Sequence, residues 1–127
     1  MLDHFNRPRN AGVLEGADAI GRASLNGRAP YVTIYVQARS DVVSAVRFQA
    51  FGCGATIAAA SALTELSQGN SLAACEVIPE SAVLQALDGL PAEKEFCAAL
   101  AVAALRDAIA QLRSSRSNMP PTNPEIS

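Results

Sequence analysis

A change of hydrophobic period at Gly52-Cys53-Gly54 constrains the fold more than any other feature of this sequence. Before this corner, residues 31–38 and 42–50 alternate apolar and polar side chains with a period of two, which predicts two antiparallel strands joined by a turn. The segment 20–25 could supply a third strand. After the corner the apolar spacing is helical. Strands followed by helices predict an α+β fold, in which helices cover one face of a small antiparallel sheet.

The helical half contains four segments with recognisable starts and stops. The predicted helices run from about 55 to 67, from 71 to 76, from 79 to near 89, and from 92 to 113. Residues 114–127 are polar and contain three prolines, which predicts a disordered tail. We therefore assign one domain to residues 1–113 and a tail to residues 114–127. This length is sufficient for one core of modest size.

Charge and cysteine usage exclude several classes of protein. The formal net charge is −2, which disfavours a nucleic-acid or anionic-membrane partner because such partners need a dense basic face. The longest uncharged apolar run, residues 96–105, is too short to span a bilayer, and no secretory signal is visible at the start. Three widely spaced cysteines then favour reduced thiols and a cytoplasmic location.

Several segments in series resemble the IscU/NifU-type iron–sulfur cluster assembly scaffolds. Residues 3–12 (DHFNRPRNAG) are similar to the family's opening, which has an aspartate-histidine-aromatic run before Pro-Arg-Asn-x-Gly. Residues 47–55 (RFQAFGCGA) and 57–66 (IAAASALTEL) are similar to its second cysteine motif and the helix that follows. Residues 90–97 (LPAEKEFC) stand where the family has Leu-Pro, a lysine and His-Cys. The resemblance covers residues 2 to 112 and implies a SufE/NifU-like fold.

The resemblance also implies a site, and this sequence retains part of it. The family carries Cys-Gly-Asp before its first long strand, but residues 26–32 here read NGRAPYV. Phe96 replaces the histidine before the last cysteine. Of the family's metal ligands, Cys53 and Cys97 remain, with Cys53 as the implied sulfur acceptor. The implied cargo is an iron–sulfur cluster, of the [2Fe-2S] type, or iron.

The two retained cysteines could act as thiolate ligands or could simply be packing residues. Cys53 precedes a helix, whose unpaired N–H groups and dipole favour the thiolate, and Cys97 begins the last helix. Either could instead be a small buried residue. If they share a site, their sulfurs should lie within roughly 7 Å of each other, with Cys75 buried elsewhere as a packing residue. We expect His4 to have a capping or surface role, and Arg28 to stabilise a thiolate or to face water.

Three functions remain open. The first is a scaffold or carrier, not an enzyme and without catalytic residues, that accepts sulfur and holds a cluster. A homodimer would supply Cys53 and Cys97 twice and so restore four thiolates. The second is a persulfide-accepting accessory protein of a cysteine desulfurase, and the third is a metal-free interaction or regulatory module. The implied partners are a cysteine desulfurase, apo iron–sulfur proteins and a chaperone, although Glu93 weakens the apolar segment that a chaperone recognises.

Overall fold

Three antiparallel strands form one sheet, and four helices follow them along the chain. The strands are β1 (Ala19–Leu25), β2 (Arg28–Arg39) and β3 (Val42–Phe51), in the order β1-β2-β3. The helices are α1 (Gly54–Ser67), α2 (Leu72–Glu76), α3 (Glu80–Ala86) and α4 (Phe96–Asn118), with a 3₁₀ turn at Ala92–Lys94 before α4. This computed structural model describes residue 4 and residues 6–118, without the side chains of Arg28 and residues 116–118. The predicted α+β class is confirmed.

The boundaries of the last helix differ from the prediction at both ends. Residues Ala92–Lys94 form a 3₁₀ turn after Pro91, so α4 begins at Phe96 and not at residue 92. At its other end α4 runs to Asn118, past the predicted stop at 113, because no glycine or proline interrupts the chain before Pro120. Residues 119–127 of the predicted tail lie outside the described residues. The division into a domain at 1–113 and a tail stays a prediction.

The apolar core lies on one face of the sheet. Val32, Ile34 and Val36 on β2 are completely buried, and they pair with alternate residues of β3, among them Phe48 opposite Ile34. A register shift between Gln37 and Ala38 lets the alternation continue toward the β2–β3 turn. Helices α1 and α4 pack on this face. The sheet and the helices thus form two layers, as the alternating apolar residues of the strands predict.

Small residues allow α4 to lie close against β1. A Cβ atom at Gly21 would lie 2.1 Å from the carbonyl oxygen of Ala104 and 2.3 Å from the backbone nitrogen of Ala108. Glycine is therefore required here by the closeness of the helix backbone and not by a turn. No helix in the described part of the chain combines the length and the apolar character needed to cross a membrane.

The segment before β1 covers the free edge of β3. The N–H of Gly12 donates to the carbonyl of Phe48 at 2.7 Å, and the N–H of Phe48 donates to the carbonyl of Asn10 at 2.9 Å. The side chain of Asn10 reaches Thr64 on α1 at 3.2 Å. These bonds protect an edge that would otherwise pair with other chains. The sequence also predicts a first helical turn at residues 2–6, which Pro8 ends. Of these residues the structure describes His4 and Asn6, and both are helical.

Candidate functional site

Cys53 lies where β3 ends and α1 begins. It is the N-cap residue of α1, with an extended backbone, and its side chain is exposed. A Cβ atom at the preceding Gly52 would lie 2.8 Å from Cβ of Pro30 and 2.8 Å from Oγ1 of Thr56. Glycine therefore lets β2, β3 and α1 meet tightly at this corner. The result is a thiol held at the surface on a rigid junction.

Cys97 approaches the same corner from the first turn of α4. Its side chain is completely buried, as is that of Thr56. The hydroxyl oxygen of Thr56 lies 3.4 Å from the sulfur of Cys97 and 3.7 Å from the sulfur of Cys53. Both sulfurs therefore contact the same hydroxyl oxygen, which brings the two thiols together. The predicted proximity of Cys53 and Cys97 is confirmed, and the buried hydroxyl that joins them is a feature that the sequence pattern does not indicate.

The environment of Cys53 favours its thiolate. Burial by itself raises the pKa of the Cys53 thiol, but hydrogen bonds from the backbone and side chain of Thr56 and from the backbone of Ala55 outweigh it. The charge of Lys94 acts in the same direction, and together these effects lower the pKa from 9.0 to about 7. Near neutral pH, Cys53 is therefore readily ionised to the reactive thiolate.

The other two cysteines are protonated near neutral pH. Burial raises the pKa of Cys97, and the neighbouring Cys53 raises it further, while the Thr56 hydroxyl and Lys94 act against this rise. Cys75 lies away from the site on α2, where its thiol donates to the carbonyl of Ser67 at 3.3 Å. Burial raises the pKa of Cys75 to about 11. Its predicted placement in a buried position elsewhere is confirmed.

Among the residues that the structure describes, the side chains around this corner supply two thiols and no third ligand of the usual kind. Asn26 and Gly27 both have positive φ and close the β1–β2 hairpin as a two-residue turn, in the stretch where the resemblance places Cys-Gly-Asp. Phe96 packs partly buried against the core. No group of three or more His, Cys, Asp or Glu residues is arranged to hold a metal ion among residues 4 and 6–118. One chain therefore presents a pair of thiols.

Comparison with known proteins settles the family. Residues 1–118 match the family model described as the NifU-like N terminal domain. The chain belongs to this family. It is 39% identical over 109 residues to the iron-sulfur cluster assembly scaffold protein IscU 1 of Archaeoglobus fulgidus, and the match covers 86% of this chain and 71% of that protein. It is 40% identical over 111 residues to the scaffold protein IscU of Aquifex aeolicus, with the same coverage of 86% and 71%.

Solved structures confirm the fold of this NifU-like domain. The crystal structure of a nitrogen-fixing NifU-like protein (N-terminal) from Brucella abortus superposes with a TM-score of 0.68 at 19% identity, over 89% of this chain and 91% of that one. A putative scaffold protein for the SUF system from Fervidobacterium islandicum superposes with a TM-score of 0.66 at 18% identity, over 85% and 92%. The α+β architecture predicted from the sequence is thus the architecture of this structural group.

The histidine of this NifU-like domain holds the N-terminal segment against α1. His4 is buried, with its Nδ1 atom 2.8 Å from the hydroxyl of Ser61 and its Nε2 atom 3.4 Å from a carboxylate oxygen of Glu65. The backbone N–H of Arg9 donates to the same hydroxyl at 2.8 Å. His4 therefore joins the N-terminal segment to α1 from a buried position and does not have the predicted surface role. The buried hydroxyl of Ser61 finds its hydrogen-bond partner in this way. The side chain of Arg28 lies outside the described part of the chain.

An exposed pair of aromatic rings lies at the end of the sheet from which the chain leads into Cys53. Phe51 at the end of β3 is 60% exposed, and its ring lies 5.7 Å from the ring of Tyr31 on β2, which is 40% exposed. Phe51 is two residues from Cys53 along the chain. Exposed rings of this size are common anchors of protein interfaces. The site therefore combines a reactive thiol with a surface suited to contact another protein.

The Thr56 hydroxyl is expected to control the pH at which Cys53 reacts. Alkylation of the native protein by iodoacetamide should be half-maximal near pH 7 and slow below it, because protonation removes the thiolate. Replacing Thr56 by Val removes the hydroxyl and keeps the shape. The variant should raise the pKa of Cys53 and slow alkylation at pH 7 by roughly threefold to tenfold. Thr56→Ser, which keeps the hydroxyl, should react like wild type. Equal rates in all three proteins would contradict this role.

Proposed function

We propose that this NifU-like domain is a scaffold for iron–sulfur cluster assembly that accepts sulfur on Cys53 and holds the cluster through Cys53 and Cys97. The observation that carries the proposal is the meeting of two thiols at the Thr56 hydroxyl, with one of them exposed and readily ionised. Thiolates are the usual protein ligands of such clusters. Relatives at 39% and 40% identity are named iron–sulfur cluster assembly scaffold proteins, which supports the same role here.

The ligand count supports a cluster shared between two chains. A [2Fe-2S] cluster is generally held by four protein ligands, and one chain offers two thiols at this corner. Two copies that bring their exposed corners together would supply Cys53 and Cys97 twice. The cluster is the cargo of such a protein, so the chain acts as a receptacle and not as an enzyme.

The exposed thiol also defines the first partner. A sulfur donor that carries a persulfide, such as a cysteine desulfurase, must bring that sulfur to an accessible thiolate, and Cys53 is the exposed cysteine among the three. The exposed rings of Tyr31 and Phe51, at the end of the sheet from which the chain leads into Cys53, would offer such a donor an apolar contact. Apo iron–sulfur proteins would then receive the cluster. A chaperone would meet the exposed residues Pro91, Ala92 and Glu93, and the charge of Glu93 would weaken that contact.

Anaerobic loading with ferrous iron and sulfide tests the scaffold function. The wild-type chain should acquire visible absorbance together with matching iron and sulfide contents. Cys53→Ser should lower the iron content by about tenfold or more, because it removes the accessible ligand. Cys75→Ser removes a thiol of the same kind from a buried position away from the site, and it should load like wild type.

The remaining outcomes separate the alternatives. A wild-type chain that stays colourless under all reducing conditions would overturn the scaffold function. A persulfide found on Cys53 of that colourless chain after incubation with a cysteine desulfurase would indicate sulfur transfer, which the low pKa of Cys53 favours. A chain with neither cluster nor persulfide would be an interaction module.

A further inference from the structure

The pairing of an exposed thiol with a buried one suggests a chemical step that sulfur delivery requires. A persulfide carries its outer sulfur at the oxidation level of elemental sulfur, whereas the bridging sulfur of a cluster is sulfide. Two electrons must therefore be supplied between the two states. A thiol in contact with the persulfide can supply them by thiol–disulfide exchange. Cys97 and Cys53 share one contact, since their sulfurs lie 3.4 Å and 3.7 Å from the hydroxyl oxygen of Thr56.

We propose that Cys97 is a resolving cysteine, which attacks the inner sulfur of a persulfide on Cys53 and releases sulfide. The Cys97–Cys53 sulfur–sulfur bond forms as the bond within the persulfide breaks, and the proton of the Cys97 thiol passes to the departing sulfide. The persulfide Cys53–S–SH and the thiol Cys97–SH become the disulfide Cys53–S–S–Cys97 and H₂S, so all sulfur and hydrogen atoms balance. The two cysteine sulfurs are oxidised and the outer sulfur is reduced. A dithiol reductant resets the pair before it binds a cluster.

The burial of Cys97 favours release over transfer. Attack on the outer sulfur would move the persulfide onto Cys97, which is completely buried, and burial opposes an anionic group. Attack on the inner sulfur instead leaves a neutral disulfide inside and sends the anion to water. Cys53 sits at the exposed N-cap of α1, so rotation of its side chain can close the remaining distance to Cys97. Cys75 has no such neighbour among the cysteines and cannot substitute.

Anaerobic treatment with a limiting amount of cysteine persulfide, without iron, tests this step, because transfer of its outer sulfur to Cys53 frees cysteine and no sulfide. Sulfide release is measured above that of Cys53→Ser, which gives the background. Wild type should release about one sulfide per chain and end as an intramolecular disulfide that resists alkylation. Cys97→Ser should keep the persulfide on Cys53 and release at most about a tenth as much sulfide. Cys75→Ser should match wild type.

Peptide mapping of the wild-type product keeps the test independent of how the variants fold. A Cys53–Cys97 disulfide supports the proposal. A stable persulfide on Cys53 without excess sulfide would overturn it, as would an additional sulfur found on Cys97. The inference rests on the proposed function, but the two fail separately, because loading with iron and inorganic sulfide needs no persulfide. A chain that takes up a cluster from sulfide yet releases none from persulfide would refute only the resolving role.

Discussion

Cluster-loaded protein is expected to elute from a sizing column as a dimer with about one cluster per two chains, whereas the metal-free protein elutes as a monomer. The physical reason is the ligand count. Each chain brings Cys53 and Cys97 to one corner, and four thiolates close a cluster. Without metal, no shared ligand joins the two chains, and the Cys53 thiolates of the two copies repel each other across the interface, so the apo form stays monomeric. The dimer peak should grow in step with the visible absorbance during loading.

Variants of two exposed residues, one next to Cys53 along the chain and one distant from it, test whether the dimer forms at this corner. Phe51→Ser removes a large exposed side chain beside Cys53 and should weaken the loaded dimer. Val77 is 70% exposed at the end of α2, near the end of α1 opposite Cys53, so Val77→Ser is a matched control that should leave the dimer intact. Cys53→Ser and Cys97→Ser should each abolish the dimer peak. A loaded monomer with one cluster per chain would contradict the shared cluster.

The layer architecture could be predicted because local patterns and tertiary contacts agree in this chain. The alternation around Val32, Ile34 and Val36 has period two because one face of the sheet is buried, and the structure buries all three completely. The first and last residues of α4 could not be predicted from the sequence with the same accuracy. Its start depends on whether the residues after Pro91 form a 3₁₀ or an α-helical turn, a choice that tertiary packing makes. The role of Gly21 could not be predicted either. A glycine in a strand can mark a bulge or the close approach of another backbone, and only the packing of α4 on β1 decides between them.

The sequence indicated the two cysteines of the candidate site but not the hydroxyl of Thr56 between them. Cys53 follows from the corner between two glycines, and its closeness to Cys97 followed from the family resemblance. Thr56 has no such signal, because a threonine early in a helix is ordinary, and its position between two sulfurs depends on how α4 packs against α1. Lys94 was interpreted as part of a binding segment, yet its charge also acts on both thiols at the site. Contacts that span forty residues of sequence leave no local pattern.

Replacing Gly21 by Val is expected to destabilise the fold by about 3 kcal/mol, with a melting temperature about 10 °C lower. The atoms that a side chain would meet, at 2.1 Å and 2.3 Å from its Cβ, belong to the backbone of α4 and cannot rotate away. The helix would have to move off β1, which would loosen the buried alanines that face the sheet. Ser24→Val adds a branched side chain at an exposed position of the same strand and should leave the melting temperature nearly unchanged. Thermal unfolding followed by circular dichroism measures both variants. If Gly21→Val melted together with Ser24→Val, α4 could not lie as close to β1 as the structure places it.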